Sequence, residues 1–200
     1  MPPNGRTDNH AFNDILYQLI FEAMAQQSWQ RGDTYLAGQY RRRRMSNYKQ
    51  QLLEKQKLVA QYNIQENQMV NYFRTATSQE GYTIDRLIQQ LETRLDATVL
   101  RGGLSRTIYQ ARQLVSHGHI QVNGNKVDIP SNQVEIGDKI SVRENSRKIE
   151  AFTDALQNAN PPDYLDLSKP EMTVEFVRLP ERDEVPAECD VPQVVEFYSR

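Results

Sequence analysis

Cysteine is almost missing from this chain of 200 residues, in which Cys189 stands alone. A single cysteine excludes an internal disulfide and the zinc sites that are built mainly from cysteine. No apolar stretch approaches the roughly 20 residues of a transmembrane helix. The opening MPPNGRTDNH lacks the basic, apolar and small-residue order of a signal peptide. These absences predict a soluble protein of a reducing compartment, with no membrane partner.

Patterns that mark common catalytic sites are also missing. Ser105 follows Gly102-Gly103-Leu104, which is not the G-x-S-x-G elbow of a hydrolase. The same glycine pair lacks the following Lys-Ser/Thr of a phosphate-binding loop. Acidic residues are plentiful, but no two of them stand out as an acid–base pair. We therefore expect no enzyme, no cofactor and no small-molecule substrate.

Charge is distributed unevenly along a chain whose net charge is only −2. Residues 41–57 hold seven basic residues against one acidic residue, and residues 92–149 hold nine against six. Residues 150–200 reverse the balance, with four basic residues against twelve acidic ones. A basic middle beside an acidic tail indicates that the middle binds a polyanion, although a charge run can also be a solvated face.

Two histidines, His117 and His119, flank Gly118. On a strand they would point to the same face, which is workable for zinc, but His10 and Cys189 are too far away in sequence to suggest a third ligand. A binding or structural role is favoured, and no metal site is predicted. A cationic imidazole at position 117 would also interact well with the C-terminus of a helix.

Helical spacing of apolar residues dominates the first half of the chain. It predicts an amphipathic helix over 11–29, a second helix over roughly 47–60 after Ser46, and a third that carries Met69 and Phe73. A break separates the second and third helices, and Thr83 is expected to cap a fourth. Short connections between the last three indicate a small helical unit.

The next predicted helix begins at Ser105 as its N-cap and ends at Gly118, where glycine supplies the positive φ that helix C-termini commonly need. Arg106 and Arg112 belong to it. Six residues correspond to about 600° of helical turn, so these two arginines lie about 120° apart. Only one of them is expected to face a bound polyanion directly, and Arg106, near the helix N-terminus, is the better candidate.

Two-residue alternation replaces the helical period after Gly118. Ile120 and Val122 predict a half-buried strand, and Asn123-Gly124 predicts a type I′ hairpin turn because both positions want positive φ. The return strand is expected to extend through Val127 and Ile129. A further strand is expected over 140–142, followed by an acidic helix over 150–162.

The run RLDATVLRGGLSRTIYQARQLVSHGHIQVNGNKVDIPSNQVEIGDKISVRE resembles an RNA-binding module shared by bacterial-type small-subunit ribosomal protein S-four, some tRNA synthetases and pseudouridine synthases. Flanking words narrow the resemblance to the ribosomal family. These words are GQYRRRRMSNYKQQLLEKQK, PPDYLDL, LPERDEVP and the ending VVEFYSR. The chain is similar to this family from about residue 36 to residue 200.

The resemblance implies an α+β fold in which a small helical domain carries an inserted mixed α/β domain with the RNA-binding module. The helical domain would comprise residues 46–92 plus 181–200, and the α/β domain residues 93–180 with the module at about 94–149. Residues 1–45 would form a divergent N-terminal extension.

The resemblance also implies a function without catalysis. The protein would bind small-subunit ribosomal RNA, nucleate assembly of the subunit body, adjoin ribosomal proteins S-five and S-twelve, and affect decoding accuracy. It would act on a cytoplasmic or organellar ribosome. The expected RNA-binding residues are Arg41, Arg42, Arg43, Arg44, Lys49, Lys55, Lys57, Arg94, Arg101, Arg106, Arg112, His117, His119 and Lys126.

Several features depart from the family pattern. The family is usually strongly basic and often has a basic N-terminus, whereas this chain is slightly acidic and begins with a nearly neutral helix. Fewer cations imply weaker RNA binding that depends less on salt. Two alternatives therefore stay open: a non-ribosomal paralogue that acts as an RNA-binding regulator or assembly factor, and an adaptor that binds proteins through its N-terminal helix and acidic tail.

Overall fold

The computed structural model describes residues 46–199, so the predicted helix 11–29 and the arginine run 41–44 lie outside the described residues. The described part contains seven α-helices and one five-stranded sheet, which confirms the predicted α+β class. No helix within residues 46–199 is both long and apolar enough to cross a membrane. The helices are α1 (Asn47–Gln61), α2 (Glu66–Ser78), α3 (Thr83–Glu92), α4 (Leu95–Arg101), α5 (Ile108–Ser116), α6 (Glu150–Gln157) and α7 (Val191–Tyr198).

The first three described helices are present where helical spacing predicts them, and α1 has nearly the expected range 47–60. Ser46 caps α1, because its hydroxyl accepts a hydrogen bond from the Lys49 backbone N–H at 3.3 Å. The break before α2 is made by Asn63 at φ 47°, a conformation that asparagine tolerates. The prediction that Thr83 caps α3 is wrong by one residue: Tyr82 occupies the cap position, and Thr83 is the first helical residue.

The first hydrophobic cluster, here called the helical cluster, joins α1, α2, α3 and α7. It brings the end of the chain back onto the first helices, because α7 packs against α1. One residue of α4, Ala97, also belongs to it. Its buried members are Leu58, Tyr62, Ile64, Met69, Ala76, Leu87, Ile88, Leu91, Ala97, Val185, Val191 and Val194.

The second hydrophobic cluster, the sheet cluster, packs α4, α5 and α6 against one antiparallel sheet. The strand order is β2-β1-β3-β5-β4, and inward residues such as Ile120, Ile140 and Phe176 are fully buried. The two clusters do not test the expected domain boundaries, which stay a prediction. The strands are β1 (Ile120–Val122), β2 (Asn125–Lys126), β3 (Lys139–Val142), β4 (Leu165–Ser168) and β5 (Thr173–Phe176).

The hairpin turn between β1 and β2 is confirmed. Asn123 and Gly124 have φ values of 51° and 79°, the positive pair of a type I′ turn. The Asn123 side chain connects this turn to the turn before β3. Its amide nitrogen donates a hydrogen bond to Asp138 Oδ1 at 2.7 Å. Its carbonyl oxygen accepts from the Lys139 backbone N–H at 2.9 Å. A short hairpin is therefore held rigidly on the edge of the sheet.

The expected length of the return strand is wrong. β2 ends at Lys126, and Ile129 is 58% exposed rather than part of a strand. The chain leaves the sheet because its next carbonyls satisfy the first N–H groups of α4. Leu95 N donates to Asn132 O at 2.8 Å, and Asp96 N donates to Pro130 O at 3.1 Å.

The predicted start of α5 is also wrong. Thr107, not Ser105, is the N-cap, and its hydroxyl accepts from the Gln110 N–H at 3.2 Å. Ser105 is buried, and its own hydroxyl donates to the Thr107 carbonyl. Arg106 therefore precedes the helix instead of lying in its first turn. The other end is confirmed, with Gly118 at φ 70°.

The acidic helix α6 is shorter than the expected range 150–162. It ends at Gln157, with Asn158 as its C-cap. Pro161 and Pro162 follow closely. A residue before proline is driven out of the helical region by steric contact with the ring, so the chain cannot stay helical up to the prolines.

The turn predicts a specific cost for replacing Gly124. A Cβ built on this glycine meets no atom within 4 Å, so the penalty comes from its positive φ alone. Gly124→Val should lower the free energy of unfolding by roughly 1–3 kcal/mol. Gly124→Asn, which tolerates the left-handed region, should cost less. Urea unfolding of both variants measures this, and a Gly124→Val variant as stable as wild type would contradict the assigned turn.

Candidate nucleic-acid interface

The cations expected to bind RNA fall into two groups. One group is buried or half-buried in internal ion pairs, and the other lies on the surface. This division decides which residues are available to a polyanion. Arg41, Arg42, Arg43 and Arg44 lie outside the described residues.

Glu92 is the centre of the first internal cluster. Its side chain is completely buried at the end of α3, and its carboxylate accepts five hydrogen bonds from four donor atoms of three residues. The Tyr62 hydroxyl donates to Oε1 at 2.5 Å, and the Tyr164 hydroxyl donates to Oε2 at 2.9 Å. The Arg101 guanidinium donates from Nε and Nη2 at 3.1–3.2 Å. Both oxygens of this buried carboxylate therefore have hydrogen-bond donors, which offsets the cost of burying its charge.

Both tyrosines of this cluster remain protonated at neutral pH. Burial, reinforced by the negative charge of Glu92, raises the pKa of Tyr62 well above its usual value. The same two causes raise the pKa of Tyr164. The hydroxyl protons that bind the carboxylate are therefore retained throughout the physiological range, and the contacts hold.

Asp96 is the centre of the second internal cluster. Arg94, completely buried, donates to it twice, from Nε at 3.0 Å and from Nη2 at 2.6 Å. Its remaining amino group donates to the Tyr72 hydroxyl at 2.7 Å. Arg112 lies 3.4 Å from the same carboxylate and donates to the Asn63 carbonyl at 2.6 Å. The α5 helix is thus fastened to the loop between α1 and α2.

These contacts correct part of the sequence prediction. Arg94 cannot reach an RNA phosphate from the interior, and its role is structural. Arg101 and Arg112 have their closest partners inside the fold, at Glu92 and at the Asn63 carbonyl. Lys55 is also buried, and its ammonium donates to Glu66 at 2.6 Å. A count of positive charges along the sequence does not distinguish a cation with an internal carboxylate from a free one.

A surface cluster surrounds Gly118 at the end of α5, and it is here called the hairpin cluster: His117, Gly118, His119, Lys126 and Arg143. A Cβ on Gly118 would lie 2.1 Å from Lys126 Cε, so the lysine stem occupies the space that a side chain would need. Arg143 donates from Nη1 to the Gly118 carbonyl at 3.1 Å. Two cations are therefore fixed against one glycine.

The two histidines of the hairpin cluster differ in environment. His117 is exposed, whereas His119 is half-buried and its Nδ1 lies 2.9 Å from the Ser146 hydroxyl. Burial first, then the nearby His117 and Arg143, lower the pKa of His119. His119 is therefore neutral at pH 7 and contributes a hydrogen-bonding ring rather than charge. Within residues 46–199 no group of three or more His, Cys, Asp or Glu side chains is arranged to hold a metal ion.

The remaining expected cations lie on the surface. Arg106 is exposed in front of α5, and its one ion pair within residues 46–199 is a long one, 3.7 Å from Asp154. Lys49 and Lys57 are exposed on α1, and Lys57 pairs with Glu54 at 2.7 Å. Arg106 is therefore more exposed than Arg112, in agreement with the choice of Arg106 as the better candidate. Its position before the N-cap of α5 was not expected.

Three cations in or near the hairpin cluster were not among the expected RNA-binding residues: Arg143, Arg147 and Lys148. Arg147 and Lys148 follow the short 3₁₀ turn Glu144–Ser146, which contributes Ser146 to His119. Lys148 is exposed, while Arg147 is half-buried and donates to the Val142 carbonyl. Their position soon after a predicted strand was the available signal for placing them near the module.

The Glu92 cluster predicts a large loss of stability on removal of its charge. Glu92→Gln leaves the Arg101 guanidinium, 15% exposed, without its counter-ion, and breaking one partner of a buried pair costs about 3–5 kcal/mol. Glu175→Gln is the matched control, because its pair with Lys139 is exposed and should contribute less than about 1 kcal/mol. Urea unfolding at pH 7 measures both, and equal effects would contradict the assigned burial.

Comparison with known proteins identifies the family. The family model described as ribosomal protein S4/S9 N-terminal domain matches residues 22–92, and the S4 domain matches residues 93–140. The small ribosomal subunit protein uS4 of Streptomyces avermitilis is 46% identical over 164 residues, which cover 80% of each chain.

Two further relatives give the same result. The uS4 protein of Micrococcus luteus is 46% identical over 82% of this chain and 81% of its own length. The uS4 protein of Geobacillus stearothermophilus is 46% identical over 83% of this chain and 85% of its own length. The chain therefore belongs to the uS4 family of small ribosomal subunit proteins.

Proposed function

We propose that this protein is a structural component of the small ribosomal subunit and binds small-subunit ribosomal RNA directly. The names of its relatives support the ribosomal role, and the S4 domain match over residues 93–140 supports RNA binding by the module. The observation that carries the proposal is the hairpin cluster, in which Lys126 and Arg143 are both held against Gly118.

This arrangement suits a phosphate group. Lys126 has a 51% exposed side chain, and its only ion pair among the described residues is a long one, 3.6 Å from Asp128. Arg143 donates one N–H to Gly118, and a guanidinium has five N–H donors, so several remain for phosphate oxygens. Packing the stem of Lys126 on the glycine reduces the rotamer entropy that would be lost on binding. The role involves positioning and charge neutralisation, not catalysis.

The family resemblance suggests finer aspects of this role. We infer that the protein binds early, nucleates assembly of the subunit body, adjoins ribosomal proteins S-five and S-twelve, and contributes to translational accuracy. The proposed location is the ribosome of the cytoplasm, with an organellar ribosome as the second possibility. The arginine run 41–44, with Lys49 and Lys57, would form a second RNA contact in addition to the hairpin cluster.

The low charge of the chain supports a second candidate function. A net charge of −2 and a pI of about 6.0 are low for a polyanion-binding protein. A non-ribosomal paralogue, acting as an RNA-binding regulator or assembly factor, would have the same module. Sedimentation of a lysate at moderate salt distinguishes the two: the structural role requires the protein in small subunits, and the paralogue requires it in the free fractions.

A salt titration of RNA binding separates the proposed contacts. Replacing Lys126 and Arg143 together by Gln should lower the slope of log affinity against log salt by about two contacts. Neutralising residues 41–44 should lower it by about three to four contacts, and Arg106→Ala by about one. Each neutralised phosphate releases condensed counterions, which is why the slope counts contacts. The ligand is the small-subunit ribosomal RNA fragment.

Lys169→Gln provides the matched control. Lys169 is exposed in the turn between β4 and β5, at the opposite edge of the sheet from the β1–β2 hairpin. It removes the same charge without touching the proposed surface, so affinity and slope should stay near wild type. An unchanged slope in the Lys126/Arg143 variant, or an equal loss in the Lys169 control, would contradict the hairpin cluster as a phosphate site.

A further inference from the structure

The outward face of α5 presents an aromatic ring to solvent. Tyr109 is 64% exposed, and none of the aromatic ring pairs within residues 46–199 includes it. Tyr48, although 54% exposed, differs because its ring lies 5.7 Å from Phe197. The exposed Tyr109 ring is therefore available to an external partner.

The residues around Tyr109 are neutral or cationic. Gln113 and Ser116, four and seven positions later, lie within about 40° of it on the helix surface. Both are exposed, and the α5 sequence IYQARQLVS contains no acidic residue in a chain with 26 of them. His117, the C-cap of α5 and a member of the hairpin cluster, lies about 80° from Tyr109 by the same count. This face is therefore chemically suited to a polyanion.

Arg106 adds a cation at the start of this face. Its backbone N–H donates to Gln110 Oε1 at 2.8 Å, which fixes the residue beside the first turn of α5. Its side chain is 57% exposed, and the 3.7 Å contact with Asp154 is between two exposed groups. Such pairs are weak, so a phosphate can replace Asp154 as the partner of Arg106.

We propose that Tyr109 is a base-stacking residue that binds an unpaired nucleotide of the ribosomal RNA, with Arg106 contacting a phosphate beside that nucleotide. The inference rests on the proposed function and deepens it. Tyrosine offers a flat ring to any base, and unstacked bases in RNA loops are commonly bound by aromatic side chains. Eight residues separate Tyr109 from His117, about 12 Å of helix, so this nucleotide is distinct from the one at the hairpin cluster.

A protein partner is the competing occupant, since exposed tyrosines are also common at protein interfaces. Charge favours RNA: Arg106 precedes α5, the hairpin cluster follows it, and α5 itself contains Arg112 and no acidic residue. The experiment therefore uses naked RNA, without any other ribosomal protein, so that only an RNA contact is measured.

The test compares Tyr109→Ala, Tyr109→Phe and Tyr82→Ala in binding to the small-subunit ribosomal RNA fragment. Tyr109→Ala should weaken binding by about 5- to 150-fold, the range for loss of one base stack. Its salt slope should stay unchanged, because stacking releases no counterions. Tyr109→Phe keeps the ring and should bind like wild type. Tyr82→Ala, which removes an 82% exposed tyrosine at the start of α3, should also bind like wild type.

Chemical probing of the RNA gives a second readout. One unpaired nucleotide should be protected by wild type and by Tyr109→Phe but reactive with Tyr109→Ala, while the rest of the footprint persists. Wild-type affinity of Tyr109→Ala for naked RNA would overturn the inference. The same result combined with poor incorporation into subunits would overturn it in favour of a protein partner. If wild type itself fails to bind the RNA, it is the proposed function that fails.

Discussion

The buried carboxylate of Glu92 is the contact on which the rest of the structure depends. It lies at the end of α3, and its partners come from both hydrophobic clusters: Tyr62 from the helical cluster, and Tyr164 from the sheet cluster. Arg101 supplies the compensating charge at the end of α4. A buried charge without these donors would cost several kcal/mol, so the carboxylate enforces one relative placement of the segments that carry them.

The Asp96 cluster extends this constraint to the interface. Arg94 fixes Asp96, Asp96 contacts Arg112, and Arg112 holds α5 against the Asn63 carbonyl. With the inner face of α5 fastened in this way, its outer face and the hairpin cluster point away from the fold. The arginines with internal carboxylates thus position the surface, and the proposed RNA contacts Arg106 and Arg143 lie outside these buried clusters.

Local chemistry explains what the sequence could predict. The helical period of apolar residues located α1 to α3, and Asn123-Gly124 predicted its turn because both residues tolerate positive φ. The choice between Ser105 and Thr107 as the cap of α5 was not predictable, since both are hydroxyl residues. Burial of Ser105 decided it, and burial is a tertiary property. The predicted length of β2 was wrong for a similar reason. The carbonyls of Pro130 and Asn132 accept hydrogen bonds from the first N–H groups of α4 instead of pairing in the sheet.

The sequence predicts which types of residue form the candidate site, but not which individual residues belong to it. Arg94, Arg101 and Arg106 look alike in the sequence, and only the fold separates them. The partners of Glu92 illustrate the reason. Tyr164 lies 72 residues away along the chain, so no local sequence pattern predicts its contact with Glu92. Tyr109 was not among the expected RNA-binding residues either, all of which are arginine, lysine or histidine. Its exposure is visible only once the inner face of α5 has been assigned.

Arginine modification by phenylglyoxal, quantified by mass spectrometry with and without the ribosomal RNA fragment, tests this division of arginines most directly. We expect Arg106 and Arg143 to react in the free protein and to be protected by RNA. We expect Arg94, which is completely buried, to stay unreactive in both samples while the protein is folded. Reaction of Arg94 in the folded protein with protection by RNA, or full reactivity of Arg143 in the complex, would contradict it.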